Sequence, residues 1–141
     1  MRHRKALRRR YGHSKSGESF LDGYITAALW SSNDESDESG GEPLDSNYGP
    51  DDLSPDARKK MRDDVARFQK ANKKLLREAY SRGYSKGRAG HDFWLTRNGH
   101  GAGFWDRDEL EAGGLGKALT QATKKFREVY LVVDNGQIHQ D

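Results

Sequence analysis

The chain has 141 residues, a third of them hydrophobic and a third charged, with a mean hydropathy of −1.08. That length suits one domain with a small core and polar segments around it. The absence of cysteine excludes disulfides and thiolate chemistry, and no apolar run approaches the roughly 18 residues of a membrane-spanning helix.

The net charge of +3 conceals blocks. Residues 1–17 hold seven Lys/Arg and no acid, and residues 18–57 hold eleven Asp/Glu and no base. Residues 58–89 hold twelve bases against three acids, and 90–141 hold six against eight. Such blocks mark tails, linkers and solvated faces, and basic ones also suit anionic partners.

Residues 1–17, MRHRKALRRRYGHSKSG, read as a disordered basic arm, because two apolar side chains cannot offset the entropy of ordering it. Arg2, Arg4, Lys5, Arg8, Arg9 and Arg10 are candidate phosphate contacts, each releasing a counterion on binding. A solubilising tail fits the same composition. No apolar segment follows the arm, so it does not read as a secretory signal, and the expected location is the cytoplasm.

A single α+β domain is expected over 18–141. In ESFLDGYITAALWSS, Leu21, Tyr24, Ile25, Ala28 and Leu29 recur at helical spacing, with Gly23 weakening the helix. About residues 32–53 the chain loses periodicity and reads as a mobile acidic loop. Its acids do not fall on the alternating positions of a calcium loop.

Residues 54–83 predict one long helix, with Ser54 as N-cap, Pro55 in the first turn and Gly83 at the end. Met61, Val65, Phe68, Leu75 or Leu76, and Ala79 make its buried stripe. Lys59, Lys70, Lys73 and Lys74 on its other faces are further candidate nucleic-acid contacts. Arg88, in the glycine-spaced basic loop that follows, is another.

AGHDFWLTRNGHGAGFW, residues 89–105, then predicts a hairpin. Phe93 and Leu95 alternate with Trp94 and Thr96, and a six-residue NGHGAG connection leads to a return strand. On a straight strand of about 3.3 Å per residue, His91 and His100 stand too far apart to share a metal. The glycines meet neither phosphate-loop fingerprint. Arg97, Asn98 and His100 at the tip form a weak catalytic trio. Trp94, His100 and Trp105 are candidates for gripping a protein partner, and an exposed tryptophan beside arginines can also stack on a base.

A helix is expected from near Gly113 or Gly114 to Phe126, with Leu115, Ala118, Leu119, Ala122 and Phe126 facing the core. EVYLVVD is the strongest strand, and Asn135-Gly136 predicts a type I′ turn into QIHQ. The expected assembly is an antiparallel sheet of two hairpins packed against two or three helices, behind a disordered basic arm.

AGHDFWLTRNGHGAGFWDR, GLGKALTQATKKF and EVYLVVDNGQI, with FLDGYITAALWSS and GEPLDSNYGPDDLSPDA upstream, closely resemble a family of small, uncharacterised proteins of bacteriophages and mobile elements. The resemblance covers about residues 19–138, leaves the arm outside, and is most specific over 91–105. It implies a small intracellular phage accessory protein and brings no reaction, cofactor or catalytic residue.

Three readings follow. The first is a non-enzymatic accessory protein that binds DNA or RNA through its basic arm and basic helix. The second is a host-protein-binding modulator of metabolism or defence, using the aromatic hairpin and the acidic loop. The third is a small enzyme centred on Arg97, Asn98 and His100. No metal, cofactor or membrane partner is assigned, and the oligomeric state stays open.

Overall fold

The computed structural model describes residues 18–35 and 41–141, so the basic arm lies outside the described residues. The fold is α+β. Five α-helices, α1 (Phe20–Ser31), α2 (Pro55–Ala71), α3 (Lys73–Ser81), α4 (Lys86–Arg97) and α5 (Leu115–Thr123), accompany two antiparallel pairs among the described residues. The pairs are β1 (Asn33–Asp34) with β2 (Glu42–Pro43), and β3 (Leu131–Asp134) with β4 (Gln137–Gln140). They form two separate two-stranded sheets, not one.

Helix α1 begins where the Ser19 hydroxyl accepts from the Asp22 N–H at 3.0 Å. It is buried on most sides, through Phe20, Tyr24, Ile25, Ala27, Ala28 and Leu29, and forms the centre of the core rather than an amphipathic cover. Its main partner is α4, and together they make the most extensive contact between two elements.

Gly90 and Gly23 allow that contact. A Cβ on Gly90 would overlap the carbonyl oxygen of Phe20, and one on Gly23 would overlap that of Gly87. The two backbones touch where side chains would otherwise keep them apart. Phe20, Tyr24, Phe68 and Phe93 pack around the crossing, with Phe68 and Phe93 stacked at 4.2 Å.

The predicted hairpin at 91–105 is therefore not formed. Its first half is the last two turns of α4, which starts at the Ser85 cap, inside the segment expected to be a basic loop. Phe93, Trp94 and Leu95 are consecutive and all buried, which suits a helix enclosed by neighbours and not a strand with one wet face. The Asn98 side chain donates to the Trp94 carbonyl at 3.1 Å, and Gly99 follows at φ 69° to end the helix. Phe104–Asp106 is a 3₁₀ turn, not a return strand.

The long helix expected over 54–83 is interrupted at Asn72, whose side chain donates to the Phe68 carbonyl and closes α2. Its start is as expected: Ser54 accepts from the Ala57 N–H at 3.0 Å, with Pro55 in the first turn. The described parts of the acidic segment carry β1, β2 and two 3₁₀ turns, anchored by buried Leu44 and Leu53.

Helix α5 starts directly after Gly113 and Gly114, both at φ 72°, as the sequence predicts. The β3–β4 hairpin also stands where expected, with Asn135 and Gly136 both at positive φ. Ile138 is its buried anchor. The Ile138 carbonyl accepts from the Ser54 N–H, which docks the hairpin on the start of α2.

The crossing separates two substitutions of the same kind. Gly90→Ala pushes a methyl group into backbone and should lower stability by about 3 kcal/mol or more. Gly87→Ala meets the Glu18 side chain from Cγ outward before any backbone, and a flexible side chain can swing away, so it should cost less than about 1 kcal/mol. Urea unfolding of the two variants measures the difference.

Candidate nucleic-acid interface

Two stretches of the chain hold cations and no acids: 67–77, with Arg67, Lys70, Lys73, Lys74 and Arg77, and 117–127, with Lys117, Lys124, Lys125 and Arg127. All nine cations are exposed. The first stretch is the end of α2 and most of α3, and the second is α5 and the turn after it. Helices α3 and α5 pack together. The Phe126 ring meets Phe68 at 5.9 Å, and the Arg67 guanidinium lies 4.8 Å over the same ring. The two stretches thus meet at Arg67, Lys125 and Arg127, which line one cleft together with Asp63, Asp64, Glu128 and Asp141.

Ion pairs distinguish these cations from the others. Among the described residues, Arg67 alone of the nine is held in a salt bridge, to Asp64 at 3.0 Å. Lys59, by contrast, reaches Asp63 at 2.9 Å, and Arg88 is half-buried in a salt bridge with Glu109. Of the basic residues singled out from sequence, Lys70, Lys73 and Lys74 stand free in this region. Lys59 and Arg88 have their charge answered within the molecule. Lys124, Lys125 and Arg127 belong to the region and are absent from the sequence reading. The KKFR run was the available signal.

The weak catalytic trio does not converge. Arg97 is 7% exposed. It forms a salt bridge with Asp64 at 2.8 Å, donates to the Tyr24 hydroxyl at 3.0 Å, and reaches the Arg127 carbonyl through Nε at 3.0 Å and Nη2 at 2.6 Å. Its guanidinium also lies over the rings of Phe93 and Phe126. It ties α1, α2 and the chain after α5 together and stands at no loop tip. Burial, only partly opposed by Arg97, pushes the Tyr24 phenol up to about 12, so it stays protonated at neutral pH.

Asn98 is occupied as well. Besides capping α4, its side-chain oxygen accepts from the Val129 N–H at 2.9 Å. His100 is exposed, in a shallow cleft of about 330 Å³ shared with Trp105, Lys124, Arg127 and Glu128. Trp94 is 1% exposed and donates its indole N–H to the Ser31 hydroxyl at 2.8 Å, so it is core and not a surface for a partner. Trp105, at 54%, is exposed.

His91 lies within α4 and His100 beyond its end, so no strand separates them, and His91 is engaged with other partners. Its Nε2 accepts from the Trp30 indole at 3.0 Å, and its Nδ1 lies 3.7 Å from Asp92. Asp92 is the most enclosed carboxylate among the described residues, 1% exposed, and takes Arg107 in a two-pronged pair at 2.9 and 2.6 Å. The Tyr84 hydroxyl donates to the same carboxylate. Burial alone would raise the Asp92 pKa, but the nearby His91 and the hydrogen bonds from Arg107 and Tyr84 outweigh it and hold it below the usual aspartate range. Burial first, then the Asp92 charge, pushes the Tyr84 phenol upward. This cluster is fully bonded and braces α4 against the 104–107 turn. Among the described residues no group of three or more His, Asp or Glu side chains is placed to hold a metal ion.

Comparisons with protein-family models, with curated proteins and with solved structures return no match to this chain.

Arg97→Ala should destabilise the fold by about 3 kcal/mol, because Asp64 and the Arg127 carbonyl lose a buried partner. Arg97→Lys should recover only part of this, since an ammonium cannot span the same acceptors as the planar fork. Equilibrium unfolding tests both. Asp92 supplies a pH dependence of definite sign. Its folded pKa is depressed, so its stabilisation is complete above the unfolded value of about 3.9 and is lost as pH falls through the folded one. The stability gap between the native chain and Asp92→Asn should therefore narrow below about pH 4 in urea titrations.

Proposed function

We propose that this chain is a small phage accessory protein that binds nucleic acid through the basic region formed by 67–77 and 117–127. One observation supports this reading above the others: nine exposed cations and no acid in two segments that tertiary packing brings side by side. Solubility requires no such separation of charge, whereas a polyphosphate backbone rewards it by releasing counterions. The arm, with Arg2, Arg4, Lys5, Arg8, Arg9 and Arg10, adds further cations to the same reading. The resemblance of residues 19–138 to bacteriophage proteins supplies the setting.

The host-protein reading loses one of its anchors, because Trp94 is buried. The enzymatic reading loses its trio, because Arg97 and Asn98 are committed to structural bonds. The nucleic-acid reading keeps Lys70, Lys73 and Lys74 and gains Lys124, Lys125 and Arg127.

Binding to a labelled oligonucleotide should weaken steeply with salt. The log–log slope should shrink by about 2 in a Lys124→Ala/Lys125→Ala double variant. Lys59→Ala should change affinity little, because Asp63 already answers that charge. Binding that is indifferent to salt, or equally sensitive to Lys59 and to the Lys124/Lys125 pair, would overturn the assignment. Anisotropy titrations across a salt series supply the measurement.

A further inference from the structure

Trp105 is a large apolar side chain in an unusual position. It is 54% exposed, although both neighbours in the chain are fixed. Phe104 before it is fully buried, and its N–H donates to the Thr96 hydroxyl at 3.1 Å. Asp106 after it accepts from the Gly103 N–H at 3.1 Å and closes the 3₁₀ turn. The indole is therefore held out from a rigid platform and is not the end of a loose loop.

Its partners, or their absence, set it apart from the other exposed tryptophan. Trp30 lies against the His91 ring at 5.6 Å and spends its N–H on the same residue. Trp105 has no ring contact and no side-chain hydrogen bond among the described residues. It lines a shallow cleft of about 330 Å³ together with His100, Lys124 and Arg127. Lys124 and Arg127 are members of the basic region, so the cleft is continuous with it. Glu128 lines the cleft too and accepts from the Tyr130 hydroxyl at 2.9 Å, which places an acid where phosphate would be unwelcome.

We infer that Trp105 is a stacking platform for an unpaired base of single-stranded nucleic acid, whose phosphates lie on Lys124 and Arg127. The inference rests on the nucleic-acid reading above and names the form of ligand. A duplex keeps its bases stacked within itself and offers Trp105 nothing, whereas a single strand can lay a base on the indole. Such stacking tolerates any sequence, because every base has a π-face. Tolerance is expected here as well. Thr120 and Thr123, which also line the cleft, spend their hydroxyls on the carbonyls of Gly116 and Leu119 at 2.8 Å each, and so offer no donor to a base edge.

The test measures the full chain against labelled oligothymidylate, oligouridylate and a DNA duplex of equal length. Trp105→Ala should weaken single-strand binding about 10-fold, change duplex binding less than about 2-fold, and leave the circular dichroism spectrum unaltered. Trp105→Phe should fall between the two. Single strands should quench the native tryptophan fluorescence, with most of the quench lost in Trp105→Ala. Either single strand behaving in this way supports the proposal. Unchanged single-strand affinity in Trp105→Ala, while Lys124→Ala/Lys125→Ala binds poorly, overturns the stacking platform and leaves the basic surface standing. Equal losses on duplex and single strand overturn it also. Failure of the native chain to bind any of the three overturns both the platform and the reading beneath it.

Discussion

The backbone contact between α1 and α4 is the constraint on which the rest of the structure depends. Gly90 and Gly23 let two helices approach until a peptide carbonyl of one faces a Cα of the other. Glycine inside a helix costs about 1 kcal/mol relative to alanine, and the close packing of Phe20, Tyr24, Phe68 and Phe93 offsets that cost. Once the two helices touch, the C-terminal end of α4 is fixed, and Arg97 and Asn98 project from it. Arg97 then holds Asp64 on α2 and the Arg127 carbonyl, and Asn98 holds the Val129 N–H. The chain that leads from α5 into β3 is positioned by these bonds.

The same framework sets out the basic region. Because Arg97 and the rings of Phe68 and Phe93 receive Phe126 and the Arg127 backbone, Lys124, Lys125 and the Arg127 guanidinium are left facing water. Residues that carry chemistry by type, such as arginine, asparagine and histidine, are spent here on holding the fold. The groups left facing solvent include lysines, Arg77, Arg127, His100 and the Trp105 indole.

Residues 89–105 show how a sequence can mislead. Phe93-Trp94-Leu95-Thr96 alternates in size and shape, and alternation is the mark of a strand only when one face is wet. Here Phe93, Trp94 and Leu95 are all buried, so periodicity carried no information. The helix did announce itself at its ends, with Ser85 to cap it and Asn98-Gly99 to stop it. Gly87 and Gly90 disguised the interior as a loop. On the charged surface, averaging hid the signal. Residues 90–141 are slightly acidic as a block, which masks Lys124, Lys125 and Arg127 within it.

By itself the sequence determined what short-range chemistry controls. The Asn135-Gly136 turn, the Ser54-Pro55 helix start, the Gly113-Gly114 entry to α5 and the alternation along β3 each depend on a few neighbouring residues, and each stands where those residues place it. Only the tertiary structure decided that 86–97 is a helix, because two glycines make that segment unfavourable until α1 packs on it. Only the tertiary structure decided which cations stand free. Lys59 and Lys74 each have a carboxylate four residues on in a helix, but Asp63 answers Lys59 whereas Glu78 pairs with Arg82. Burial likewise divided two tryptophans eleven residues apart, enclosing Trp94 in the core and leaving Trp105 to the solvent.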